Sequence, residues 1–201
     1  MRPLKLIVGL GNPSPEYDHT RHNVGALWVR ELARRFAIPL KAETKFKGEL
    51  GRGDITGHDV RLLLPSTYMN NSGEAVSAVA NFFKIEVDEI LVAYDEMAFE
   101  PGVVRLKQGG GDNGHNGLKS VRRQCGGNGN YHRLRIGVGH PGDRQLVTPY
   151  LTQHKTPADQ MAAIEAAGHF AEADLGLVIS GDMQAAMNRL HGPGDTPEAT
   201  D

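Results

Sequence analysis

LIVGLGNPSPEYDHTRHNVG, Leu6 to Gly25, is the stretch around which the chain is organised. Leu6, Ile7 and Val8 form a continuous aliphatic run with turn residues directly behind it, the pattern of a strand buried on both faces of a parallel sheet. The spacing of Val24, Leu27, Trp28, Leu32 and Phe36 predicts an amphipathic helix next, with Asn23 as its cap. In open α/β sheets, groups just past the carboxyl ends of strands line the ligand crevice, so Asn12 and His22 stand where chemistry is expected. His22 is expected in a loop just ahead of the helix, held by it and still exposed. Gly9-Leu10-Gly11 invites a dinucleotide fingerprint, but Ser14 takes the third glycine position and Asn12-Pro13 interrupts the passage into a helix, so nucleotide binding is rejected here.

Beyond this stretch, strand-like segments alternate with helical ones. Lys45 to Asp54 and Asp59 to Leu64 flank Thr56-Gly57-His58 and predict a hairpin. Asn70 lies among turn and cap residues ahead of a helix over Glu74 to Phe83, and Ile90 to Ala93 is a second buried strand running into Asp95. A short strand, Val103 to Leu106, leads into the glycine-dense loop 107–117, where backbone can approach a ligand closely. Leu118 to Cys125 reads as a helix, Arg133 to Val138 as a strand, and Pro157 to Leu175 and Asp182 to Leu190 as helices. Residues 191–201, rich in Pro, Gly, Thr and acids, are expected to be a flexible tail behind a single domain over 1–190. The fold class is therefore α/β, one globule with a mixed, mostly parallel twisted sheet flanked by helices.

Composition narrows the compartment and the partner. The 201 residues suffice for one well-cored domain, Arg2 and Lys5 lead into too short an apolar run for a signal peptide, and no run approaches membrane-spanning length. A single cysteine, Cys125, allows no internal disulfide and no cysteine-built zinc site, so a cytoplasmic protein is expected. The net charge of −2 argues weakly against nucleic acid, but it is unevenly spread: residues 103–144 hold eight Lys or Arg against two Asp, a local balance of +6. Such a stripe in an otherwise acidic chain is the footprint of a face that meets phosphate, or else an ordinary solvated surface.

Four separate loops carry amide, imidazole or carboxylate side chains: Asn12 with His22, Asn70, Asp95, and His115 with Asn116. A histidine paired with a carboxylate has the parts of a general base, and asparagine amides can donate to a developing oxyanion. No serine or cysteine stands at a nucleophile elbow, which leaves water as the nucleophile. Taken singly, each asparagine could equally serve as a turn or cap residue. A metal-dependent hydrolase could draw on His19, His22, Asp95 and His115, but no compact ligand motif such as H-E-x-x-H is present, and no cofactor is implied.

GLGNP, TRHNVG, PSTYMNNSG, YDE, GHNGLKS and RLRIGVGHPGD occur in order from Leu6 to about Arg144, and together the set resembles bacterial peptidyl-tRNA hydrolases. The resemblance implies a monomeric α/β enzyme that cleaves the ester joining a peptide to the 3′ end of tRNA, recycling tRNA from stalled translation. It implies His22 as catalytic base, Asp95 as its orienting carboxylate, and Asn12 as the residue that helps distinguish a blocked α-amine from a free one. Tyr17, Tyr68, Asn70 and Asn116 match the family's substrate-binding positions, with Met69 and His115 lining the same cleft. The tRNA phosphates are assigned to Lys107, Lys119, Arg135 and Arg144. Asp112 and Asn113 stand where the family often has small residues, and Thr148-Pro149 departs from its more usual strand-like continuation. The resemblance also extends to plastid intron-splicing factors that keep the fold, so a non-catalytic RNA-binding module is the rival reading.

Overall fold

The computed structural model describes residues 1–192. Seven strands, β1 (Leu6–Gly9), β2 (Lys41–Glu43), β3 (Gly48–Ile55), β4 (His58–Pro65), β5 (Ile90–Glu96), β6 (Val104–Gln108) and β7 (His132–Gly137), form one sheet in the order β2-β3-β4-β1-β5-β7-β6. The middle four, β4, β1, β5 and β7, are mutually parallel, while β3 and β6 run antiparallel to their neighbours and β2 antiparallel to β3. The sheet is thus mixed, with its parallel part in the middle, where both faces can be covered. Strands β1 and β5 are buried along their whole length, as a doubly covered strand requires.

Alternation along β1 and β5 divides the interior into two cores. Ile7, Leu91 and Ala93 face α1 (Val24–Arg35) together with α5 (Ala158–Gly168), α6 (Glu172–Ser180) and α7 (Met183–Leu190). Leu6, Val8, Ile90, Val92 and Tyr94 face α2 (Ser72–Phe83) and α3 (Asn116–Gln124). Glycines let α1 ride close on the sheet: a Cβ on Gly25 would sit 2.2 Å from the Ala93 carbonyl oxygen, and one on Gly9 would sit 2.5 Å from the Gly25 carbonyl oxygen. That close approach sets His22, just ahead of α1, beside the end of β5.

Several expected elements change. The helix expected over Pro157 to Leu175 is two, α5 and α6, parted at His169-Phe170-Ala171, where Phe170 turns into the core and the Gly168 carbonyl accepts from Trp28 Nε1 at 2.9 Å. A short α4 (Val147–Thr152) carries Thr148-Pro149 in its first turn, where a missing N–H costs nothing. Most of the expected tail, residues 193–201, lies outside the described residues. His191 is tied down, its Nε2 accepting from the Leu106 backbone N–H at 3.0 Å. Among the described residues no helix is long and apolar enough to cross a membrane.

Candidate active site

The carboxyl ends of β1, β4 and β5 lie along one edge of the sheet, and the chain leaves each of them into a segment carrying a candidate residue. Asp95, next to last in β5, has a side chain only 1% exposed, and it accepts two hydrogen bonds. Its Oδ2 lies 2.8 Å from His22 Nδ1 and its Oδ1 lies 2.8 Å from His115 Nε2.

The tautomers follow from the remaining partners. His115 is the N-cap of α3, and its Nδ1 accepts the backbone N–H groups of Gly117 and Leu118 at 3.1 and 3.3 Å. Nδ1 therefore carries no proton, Nε2 does, and that proton is given to Asp95. His22 Nδ1 donates to the other carboxylate oxygen, leaving His22 Nε2 unengaged among the described residues. The two rings sit 5.0 Å apart between centroids. Burial pulls the His22 pKa down, but the Asp95 charge and hydrogen bond outweigh it and the net shift is upward. For Asp95, burial alone would raise the pKa; the field and hydrogen bonds of the two histidines hold it well below the usual carboxylate range.

His22 is not the exposed loop residue expected from the sequence. It is buried, within a single 3-10 turn, Arg21–Asn23, that packs on β5. Arg21 fixes that turn from the other side: its guanidinium donates to the Tyr150 carbonyl at 3.3 Å and to Gln160 Oε1 at 3.0 Å, and it lies 3.8 Å from the Tyr150 ring centroid. Asn23 does not cap α1 with its side chain. Instead, its Oδ1 accepts the Asn12 backbone N–H at 2.8 Å and its Nδ2 donates to the Asn12 carbonyl at 2.9 Å. Asn12 Oδ1 in turn accepts from the Met69 N–H at 2.8 Å, so the oxygen end of its amide is engaged and the Nδ2 end is the one left to donate. This role of Asn23 was invisible in the sequence, where a cap position explained the residue fully.

Other expected residues fall around this cluster. Met69 is buried in a 3-10 turn, Met69–Asn71, with its sulfur against Gly117 beside Leu10 and His115; Asn70 is exposed on the same turn. Asn116 is exposed at the first position of α3, Tyr68 is 55% exposed, and Tyr17 is half-buried in a 3-10 turn, Pro15–Tyr17. The cationic residues divide. Lys119 and Arg144 are exposed and Lys107 is half-buried, whereas Arg135 is buried and its guanidinium lies 3.0 Å from Glu96 Oε1. Counting charge along the chain had placed Arg135 on a free basic face; the alternation of β7 sends it inward, onto a carboxylate.

His22, Asp95 and His115 offer ligand atoms within 4.8 Å of one another. The donor set does not suit a cation between them. The His115 lone pair is spent on α3, and the nitrogens facing Asp95 are those that carry protons. His19, the fourth residue of the metal reading, is exposed and outside this cluster. A cavity of about 490 Å³ lies elsewhere, between α1 and α5, lined by Leu27, Trp28, Ile164 and Phe170 among others.

The model of one family, described as peptidyl-tRNA hydrolase, matches residues 6–198. The chain belongs to the peptidyl-tRNA hydrolase family. A peptidyl-tRNA hydrolase of Shewanella frigidimarina is 51% identical over 191 residues, covering 95% of this chain and 97% of that protein. One of Aeromonas hydrophila is 49% identical over 188 residues, with 94% of each covered. The crystal structure of peptidyl-tRNA hydrolase from Acinetobacter baumannii superposes with a TM-score of 0.90 at 45% identity, covering 96% of each chain. Because the match spans nearly the whole length, α4 to α7 are part of the peptidyl-tRNA hydrolase fold and not an addition to it.

Proposed function

We propose that this chain hydrolyses the ester between the peptide and the 3′ end of tRNA in peptidyl-tRNA, with His22 as general base, and so recycles tRNA from stalled or aborted translation. The observation that carries the reading is the bidentate Asp95: held by a proton from His115 whose tautomer α3 fixes, it accepts from His22 Nδ1 and leaves Nε2 as a base. A water gives its proton to His22 Nε2, and its oxygen attacks the ester carbonyl. The tetrahedral oxyanion is met by amide donors, Asn12, whose Oδ1 accepts from the Met69 N–H, and Asn70 of the turn that Met69 begins. Collapse breaks the ester, and the ribose oxygen leaves with the proton from the imidazolium, whose charge Asp95 balances.

Asn116, backbone of the 109–117 loop, Tyr17, Tyr68 and Met69 hold the peptide and the terminal nucleotide; Asn12 tells a blocked α-amine from a free one. Lys119, Arg144 and Lys107 meet tRNA phosphates, and Arg135, balanced by Glu96, contributes less to that field. The protein works as a cytoplasmic monomer, a setting that suits its one thiol. The test is turnover of peptidyl-tRNA by the purified protein with chelator present. Tight tRNA binding without release of peptide would overturn the reading in favour of an RNA-binding module; loss of turnover on chelation would overturn the metal-independent chemistry.

A further inference from the structure

The glycine loop begins at the wrong end of the sheet for the job it does. β6 runs antiparallel to β7, so Gln108 pairs with His132 at the amino end of β7, while Asp95 pairs with Ile136 four residues further along. At about 3.3 Å per residue the chain must climb roughly 13 Å between Gln108 and His115. It does so through residues at positive φ, Gly109, Gly110, Asn113 and Gly114, a segment with little stiffness of its own.

Two arginines hold the start of that climb. Arg133 of β7, among the largest fully buried side chains, donates through Nη1 to the Gly111 carbonyl at 2.6 Å and through Nη2 to the Gly110 carbonyl at 2.8 Å. Arg122 of α3 donates Nη2 to the same Gly110 carbonyl and Nε to Asp112 Oδ1 at 3.2 Å. Asp112 also accepts, with its backbone carbonyl, the His115 N–H at 2.9 Å. Arg122 is confined on its far side too, since a Cβ on Gly129 would sit 2.7 Å from the guanidinium carbon. The geometry points to Arg122 and Asp112 as positioning residues that, with Arg133, latch the glycine loop and so set His115 and Asn116 against Asp95 and the bound peptide. This rests on the hydrolase reading above and extends it: neither residue touches substrate, and Arg122 is withdrawn from the stripe that meets phosphate.

The experiment compares Arg122→Gln, Arg122→Lys and Asp112→Asn with the native chain on full-length peptidyl-tRNA and on a minimal peptidyl-adenosine ester, alongside amide hydrogen exchange of residues 109–116. Misplacing a group by about 1 Å can cost up to roughly 100-fold. Arg122→Gln is expected to lower kcat/KM by about ten- to a hundredfold on both substrates by the same factor, with faster exchange across 109–116. Arg122→Lys, which keeps the charge and a donating ammonium but not the two-pronged guanidinium, should recover part of that, and Asp112→Asn should show a smaller loss on both substrates. If Arg122→Gln does not fold, Asp112→Asn, a near-isosteric change that leaves the Arg122 contact to the Gly110 carbonyl in place, carries the test with the same two readouts. A loss on peptidyl-tRNA alone would make Arg122 a phosphate contact and overturn the latch, as would unchanged kinetics and exchange in a folded variant. A native chain inactive on both substrates would sink the hydrolase reading itself, whereas unchanged exchange sinks the latch independently of activity.

Discussion

Replacing Asp95 by asparagine keeps the shape of the site and inverts its protonation. An amide offers one acceptor and one donor group where the carboxylate offered two acceptors. His115 cannot adapt, because exchanging its tautomer would give up the Nδ1 acceptor that caps α3 through Gly117 and Leu118. The amide oxygen therefore turns to His115, and the NH₂ group faces His22 Nδ1, 2.8 Å from the original Oδ2. His22 must then accept at Nδ1 and carry its proton on Nε2, the atom that takes one from water in the proposed mechanism. A wrong-tautomer substitution of this kind costs about 10⁴-fold in kcat where it has been made in a serine-protease triad, or about 5.4 kcal/mol at 1.36 kcal/mol per tenfold. A fall of 10³- to 10⁴-fold is expected here, with KM changed less. The pH profile adds a second reading. In the native site Asp95 raises the His22 pKa against burial, so activity, which in the proposed mechanism needs neutral His22, should fall below a midpoint above the ordinary histidine value near 6.5. Without the carboxylate only the burial remains, and the midpoint should move down. The measurement is kcat/KM for peptidyl-tRNA from about pH 5 to 9, with circular dichroism as a check on folding. An unchanged rate and midpoint would refute the role given to Asp95. Adding His115→Ala should help and not harm, since the amide oxygen is then free to face His22; a fully multiplicative loss would refute the tautomer lock.

His22→Ala should lower turnover by about 10²- to 10⁴-fold while tRNA affinity is kept; because His22 is buried and hydrogen-bonded, it should also cost about 1–3 kcal/mol in a urea titration. Asp95 has a depressed pKa, so its share of stability is complete above about pH 4 and is lost as pH falls towards the folded value; the stability gap between the native chain and Asp95→Asn should narrow on acidification, and a constant gap would refute the shift. Lys119→Glu with Arg144→Glu should raise KM for full-length peptidyl-tRNA and flatten its salt dependence by about 0.7 to 0.9 in log–log slope per contact, leaving the minimal peptidyl-adenosine ester untouched; equal losses on both would place these residues at the reaction centre. Gly73→Ala should lower the melting temperature, since its Cβ would sit 2.2 Å from the Ser120 carbonyl oxygen where α2 and α3 cross; forced overpacking costs about 1–3 kcal/mol.

What the sequence made legible was whatever its periodicity encodes. Aliphatic runs gave β1 and β5, and turn residues gave the β3–β4 hairpin, because burial on two faces and reversal at Gly57 each leave a local mark. β2, three residues with no buried side chain, leaves none and exists only because β3 offers it an edge. His22 was read as exposed because polar residues ahead of a helix usually are; its burial depends on Gly25 letting α1 close on β5, a contact across nearly seventy residues. Arg133 and Arg135 counted as surface charge for the same reason: a charge tally has no access to the carbonyls and the carboxylate that receive them inside. The break between α5 and α6 was hidden because apolar spacing continues across Phe170, which packs inward after the chain has turned.

The strand order has a consequence for how the protein comes into being. Every candidate catalytic and peptide-holding residue lies at or before residue 117, so all of them are synthesised before β7, the strand inserted between β5 and β6. Until His132–Gly137 arrives, β5 has a bare edge next to Asp95, β6 has no partner, and the Gly110 and Gly111 carbonyls lack Arg133. Parallel pairing between segments distant along the chain is slow to form, and an open edge is a template for wrong partners. A nascent chain thus carries all of these residues before the sheet that holds them is closed, and the strand that closes it donates no group to the proposed reaction.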